Sequence, residues 1–143
     1  MLSVKDVMTR NVKAVDSRRT IRQAAALMAT SRIGSLVVVE DHGPMGIITE
    51  GDISKAIARG LNPDRTTVNS AMSKRPVTIE PDERVESAAK LMAKANVKKL
   101  PVLDDGKLVG IITQTDIVAS TFDLVTSLKE LVRVRYRPPD FQP

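Results

Sequence analysis

Apolar residues recur along the first sixty positions in distinct rhythms. The stretch NVKAV, Asn11 to Val15, alternates apolar and polar residues and predicts a short strand. Within TIRQAAALMATS, Ile21, Ala24, Ala25, Leu27 and Met28 return at helical spacing, and Thr20 stands where an N-cap is needed. SLVVVE is a continuous, mostly β-branched run and predicts a buried strand. EDHGP interrupts it, MGIIT predicts a third strand, and DISKAIARG, from Asp52, predicts a helix closed by Gly60. The first half therefore reads β-α-β-β-α.

The second half reads the same way. PVTI, ERVESAAKLMAKAN, LPVL and LVGIIT predict strand, helix, strand and strand, and a helix follows from Asp116; DDGK contains the Asp-Gly pair of a tight hairpin. GIITEGD (Gly46–Asp52) returns as GIITQTD (Gly110–Asp116) 64 residues later. At that offset Met8 falls on Met72, Leu27-Met28-Ala29 on Leu91-Met92-Ala93, and Leu36 on Leu100, without a gap. A period this long exceeds the roughly 20–50 residues of solenoid and propeller units, so two supersecondary units packed together are expected. The boundaries are residues 1–60 for the first copy, 61–67 for a link turned at Asn62-Pro63, 68–120 for the second copy and 121–143 for a tail. In the tail, Val125, Leu128 and Val132, widened by Leu124 and Leu131, predict a helix that Pro138-Pro139 ends. Its apolar stripe needs cover, from its own domain or from a second copy.

Composition narrows the class. Halves of about 60 residues are marginal alone and adequate when they share a core. Hydrophobic and charged contents of 42% and 27% are those of a globular protein. No apolar run approaches the roughly 18 residues of a membrane span, and the N-terminus has no signal-peptide core, so the cytoplasm is the expectation. Without cysteine there are no disulfides or thiolate metal sites. A net charge of +5 permits nucleic acid or another anion as partner, and Arg133, Arg135 and Arg137 form a local cluster. Against nucleic acid, aromatic content is 2%, with Phe122, Tyr136 and Phe141 all in the tail, leaving the repeats without a stacking platform. Catalysis is not expected. The single histidine, His42, falls in a predicted turn, the glycine-rich phosphate motifs are absent, and no nucleophile stands with a base.

The repeated phrase supports two readings. Thr49 with Asp52, and Thr113 with Asp116, fit a capping box, in which the hydroxyl accepts a free amide and the acid reaches back. The same residues also suit a ligand: a glycine permits close approach, a helix N-terminus with a hydroxyl favours phosphate or sugar, and a carboxylate accepts both hydroxyls of a ribose. Such a pair favours a nucleotide over a bare anion.

The gapless duplication, each copy ending G-h-I-T-x-x-D-I, and VKKLPVLDDGKLVGIITQTDI in the second copy resemble a tandem pair of CBS domains, or Bateman module, over about Val4 to Ser120. The resemblance implies an α/β (α+β) fold of two pseudo-symmetric repeats packed through their sheets, with two clefts for adenosine compounds: AMP, ADP, ATP or S-adenosylmethionine. It implies that Asp52 and Asp116 hold ribose hydroxyls and that Thr49 and Thr113 contact ribose or phosphate. The base would lie against Ile47 or Ile111 and the backbone of Ile33-Gly34-Ser35 or Val97-Lys98-Lys99. Asn11 to Asp16 and Arg75 to Glu80 would line the other wall. Phosphates in one cleft would meet basic residues of the opposite repeat. Lys98 and Lys99 would thus serve the Asp52 cleft and make it the better phosphate-bearing site, since the matching Gly34 and Ser35 are small and neutral. NVKAV and SLVVVE lack the prolines of RPVTI and KLPVLD, so the copies differ where the base is expected. The implied protein is a stand-alone, non-catalytic ligand sensor without required cofactor or metal, a homodimer signalling to an effector protein. The rivals are a basic nucleic-acid-binding protein and a ligand-free dimerisation scaffold.

Overall fold

The computed structural model describes residues 2–41 and 43–122. Its elements run α1 (Val4–Val7), β1 (Ala14–Asp16), α2 (Ile21–Ser31), β2 (Ser35–Glu40), β3 (Gly43–Thr49), α3 (Glu50–Ala58), α4 (Val68–Ala71), β4 (Ser73–Lys74), α5 (Val85–Ala95), β5 (Lys99–Asp104) and β6 (Lys107–Thr113). A last helix, α6, occupies 114–122. The predicted turn at His42 and the predicted tail helix lie outside the described residues. No helix among the described residues is long and apolar enough to cross a membrane.

Local chemistry accounts for the ends of these elements. Thr20 caps α2, its hydroxyl accepting from the Gln23 amide while the Gln23 side chain accepts from the Thr20 amide. Arg32 and Asn96 close α2 and α5 in the left-handed conformation, at φ 55° and 54°. Asp105 and Gly106 both have positive φ, as a two-residue hairpin that matches strand twist requires. In β2, Leu36 and Val38 face the core under α2, while fully buried Val37 points to the opposite face. Burial on both faces explains the unbroken apolar run.

One predicted strand shrinks. β1 lies parallel to β2, where the Val37 amide donates to the Lys13 carbonyl at 3.2 Å. In the second repeat Pro101 occupies the place of Val37 and has no amide hydrogen. PVTI therefore keeps only a bridge from Ile79 to Val102.

The two short helices, which the periodicity does not predict, tie the two copies together. α1 packs on the second repeat, with the Val4 amide donating to the Glu83 carbonyl at 2.7 Å and Val4 and Met8 inside its core. α4 packs on the first, with the Val68 amide donating to the Arg19 carbonyl at 2.7 Å and Val68 and Met72 inside that core. The strand-like residues after each helix follow suit. Thr9 exchanges two backbone hydrogen bonds with Ile111, and Ser73-Lys74 pairs with Gly46 and Ile47. Each core thus borrows the opening segment of the other copy, so the cores do not coincide with residues 1–60 and 68–120.

This exchange also gives the repeated glycine its role. A Cβ on Gly46 would stand 2.4 Å from the Ser73 carbonyl oxygen, and one on Gly110 would stand 2.5 Å from Met8 Sδ and 3.0 Å from the Thr9 oxygen. The chain that needs the room is the protein's own. Close approach of a ligand, the alternative reading of these glycines, is corrected accordingly.

The repeats meet along β3 and β6. Lys99 Nζ donates to Ser35 Oγ at 2.7 Å, and these residues hold equivalent positions 64 apart. Equivalent residues touch each other only near the axis that relates them, so this contact marks the pseudo-two-fold.

Candidate functional site

Both Thr-x-x-Asp phrases sit where a β-strand turns into a helix, and both form capping boxes. The Thr49 hydroxyl accepts from the Asp52 amide at 3.2 Å and the Asp52 carboxylate accepts from the Thr49 amide at 2.9 Å. For Thr113 and Asp116 the distances are 3.1 and 3.0 Å. The box uses only Oδ2 of each carboxylate, and an ionised carboxylate has about four lone-pair sites, so both keep accepting capacity.

The surroundings of the two carboxylates differ. The Thr9 hydroxyl, carried across by the segment exchange, lies 3.5 Å from both oxygens of Asp116. Ser73, its counterpart, makes no such contact with Asp52. Thr9 was missed in the sequence; the available signal was a hydroxyl residue after Met8 and another after Met72, at the same 64-residue spacing.

Lys99 breaks the symmetry in the other direction. Its backbone pairs with Thr113, but its side chain crosses the axis to Ser35, which stands in register with Thr49. Burial lowers the pKa of this ammonium below the ordinary 10.5, and the nearby Glu50 carboxylate opposes that effect. The result is a half-buried cation beside the start of α3, with one neutral hydroxyl and no ion pair among the described residues.

Lys98 does not join it. Neighbouring residues entering a strand point to opposite sides. Lys98 instead lines the outer groove between α5 and α6, beside Gln114 and Ile117. The two ammonium groups expected together at the Asp52 cleft therefore lie apart, and of the two only Lys99 reaches across to Ser35. Gly34, in the equivalent place, lies against the Glu50 carboxylate on the outer side of the first repeat.

Asp16 is also displaced from the expected site. It pairs with Val39, toward the far end of β2 from Ser35, and its carboxylate is held by Arg18 through side-chain hydrogen bonds of 2.9 Å. Those bonds, with the Arg18 amide and charge, keep its pKa well below the usual carboxylate range. Asn11 is exposed and spans from Thr9, held on β6, to Lys13, held by β2. Ile33 packs on the first core, while Ile47 and Ile111 are half-buried, in register with Val37 and Pro101. Among the described residues no cluster of three His, Cys, Asp or Glu can hold a metal ion.

Two β-α-β-β-α units about a pseudo-two-fold, each presenting a hydroxyl and a carboxylate at a helix N-terminus, define a tandem module. The CBS domain family model matches residues 4–59 and 68–122, and the chain belongs to that family as a CBS pair. Such pairs are regulatory ligand-binding modules. Among curated proteins, the CBS domain-containing protein YhcV of Bacillus subtilis is 36% identical over 84% of this chain and 86% of its own length. Among solved structures, the CBS domain pair of protein MJ0100, in complex with 5′-methylthioadenosine and S-adenosyl-L-methionine, superposes with TM-score 0.80. It is 31% identical, covering 87% of this chain and 98% of that one. A CBS-domain protein of Agrobacterium tumefaciens gives TM-score 0.78 at 30% identity, covering 84% and 99%.

Proposed function

We propose that the protein is a non-catalytic sensor that binds an adenosine-type ligand in the cleft of Thr49 and Asp52, and that it passes the bound state to an effector protein. The observation that carries this reading is the Lys99 side chain, which crosses the pseudo-two-fold and leaves a desolvated ammonium beside the first helix N-terminus of the repeated phrase. Half-burying a cation that no carboxylate pairs with directly, Glu50 acting only from nearby, costs free energy, and an anionic ligand group placed there recovers it. Asp52 then accepts ribose hydroxyls, with Thr49 turned toward ribose or phosphate and Ile47 against the base. The solved neighbour bound to methylthioadenosine and S-adenosylmethionine supports the ligand class. One ammonium, where the sequence suggested two, favours AMP or S-adenosylmethionine over the more highly charged ATP. The Asp116 cleft, with the Thr9 hydroxyl against its carboxylate and, among the described residues, no counterpart of Lys99 crossing toward it because Ser35 holds that place, is the weaker site.

Signalling follows from differential affinity. A ligand that touches both repeats favours one relative arrangement of them, and a partner reads that arrangement. The module acts as a homodimer in the cytoplasm.

Calorimetric titration of ligand-stripped protein with AMP, ATP and S-adenosylmethionine tests the reading. One compound binds the wild type, Asp52→Ala loses at least about tenfold in affinity, and Asp116→Ala stays within about twofold. If none binds, the phrases are helix caps only and the module is a scaffold.

A further inference from the structure

Lys99 stands apart from the other lysines of the chain. Every other lysine among the described residues is exposed, its neighbour Lys98 included, whereas Lys99 is half withdrawn from water. Its Nζ has one hydrogen-bond partner among the described residues, the Ser35 hydroxyl at 2.7 Å, and no carboxylate within ion-pair distance. An ammonium keeps its proton through hydration or through a nearby negative charge. Here burial removes part of the first, and the second is only the pull of Glu50 from the start of α3. A lysine so placed carries more free amine at neutral pH than an exposed one, and the free amine is the nucleophile. Half exposure also leaves the nitrogen open to a small reagent.

The geometry points to Lys99 as a site of covalent acylation, with a small acyl phosphate as the donor. The amine lone pair attacks the carbonyl carbon and a C–N bond forms. The C–O bond to phosphate breaks, the phosphate leaves with that electron pair, and the proton lost by the nitrogen ends on the phosphate. Electrostatics select this product. An amide is neutral, so it removes the cost of half-burying a charge, and its N–H still donates to Ser35 Oγ. A carbamate formed from carbon dioxide, the other product open to a free amine, sets a second negative charge near Glu50. The departing phosphate finds the N-terminus of α3 close by, because Ser35 stands in register with Thr49, its cap. Acylation deletes the one cation that crosses the pseudo-two-fold, so the acylated module loses affinity for an anionic ligand group. That consequence rests on the proposed function; the acylation itself does not.

Acetyl phosphate added to the full chain at neutral pH, with the acetylated positions mapped over time by tandem mass spectrometry, tests this. Lys99 is acetylated at least about threefold faster than Lys98, and the two rates converge in concentrated urea, where both side chains meet the same solvent. Glu50→Gln quickens Lys99 further, because the carboxylate that holds the proton on the ammonium is gone. Equal rates at Lys98 and Lys99 in the folded chain overturn the inference. So does a preference for Lys99 that persists in urea, which assigns it to local sequence, and so does a Glu50→Gln protein whose Lys99 reacts no faster. Calorimetry with AMP on the acetylated protein reads the consequence: affinity falls at least about tenfold, and an unchanged affinity overturns the coupling of acylation to binding. If AMP, ATP and S-adenosylmethionine all fail to bind the unmodified protein, the proposed function falls, and the acylation is still decided by the mapping.

Discussion

Alanine placed at three glycines should have three different effects, and the contacts around each fix the order. At Gly46 the added methyl meets the Ser73 carbonyl at 2.4 Å and Met72 Sδ at 2.8 Å. An ordinary contact begins near 3.4 Å, so the β4 backbone must retreat by about 1 Å. Overpacking of this kind costs about 1–3 kcal/mol, and loss of the short β3–β4 pairing adds about 1 kcal/mol. Gly46→Ala should therefore cost about 2–4 kcal/mol. At Gly110 the nearest atom is the end of the Met8 side chain, which has three rotatable bonds, and the Thr9 oxygen at 3.0 Å needs to give only a few tenths of an ångström. Gly110→Ala should cost about 1–2 kcal/mol. At Gly51, in the first turn of α3, the nearest atom is Thr49 Oγ1 at 3.6 Å, an ordinary contact, and φ is not positive. There alanine removes a glycine from a helix and should gain up to about 1 kcal/mol. Urea unfolding with midpoint and slope compared across the three variants gives the order directly. A Gly46→Ala protein within about 0.5 kcal/mol of wild type, or one more stable than Gly110→Ala, refutes the claim that the exchanged segment dictates these glycines.

Other outcomes follow from the same contacts. Val4→Ala, at a fully buried position, should cost about 2 kcal/mol, and hydrogen exchange should show protection falling in β5 and β6 more than in β2 and β3. Equal loss in both sheets, or loss confined to β2 and β3, counts against the exchange. Lys99→Met should be more stable than wild type at neutral pH. Because the folded-state pKa of Lys99 is depressed, the unfolded chain binds more protons between that value and 10.5, so wild-type stability rises with pH through that window. The advantage of Lys99→Met should shrink toward pH 10.5, and an advantage constant from pH 7 to 10.5 excludes burial of the ammonium as its cause.

Periodicity and duplication made most of the architecture legible before any coordinates. Long helices with clear spacing, such as α2 and α5, and the hairpin of β5 and β6 lie within a residue or two of their predicted spans. α1 and α4 could not be found this way, since four residues give little more than one helical turn and no stripe. PVTI was predicted as a strand because its own residues favour one. The deciding residue was Pro101, more than twenty positions away, which removed the donor PVTI needed. At the candidate site, the Thr and Asp of each phrase were legible from spacing, but side-chain direction was not. Alternation at the start of β5 separates Lys98 from Lys99, and Asp16 stands two residues farther along β1 than Ala14, toward the wrong end of β2 and already claimed by Arg18. Thr9 could be placed only once the chain was seen to cross between repeats.

That crossing makes the molecule a clasp. Neither repeat can be finished from its own residues: the first waits for Val68 and Met72, and the second needs Val4 and Met8, which are synthesised before it. The first repeat therefore emerges during synthesis without its last wall, and the opening helix must stay free until the second repeat exists, a demand for distant contacts that slows folding. The clasp also governs the response to cutting. A protease that nicks residues 61–67 leaves two fragments, each holding the other's missing piece, and the pair stays locked until the fold itself is melted.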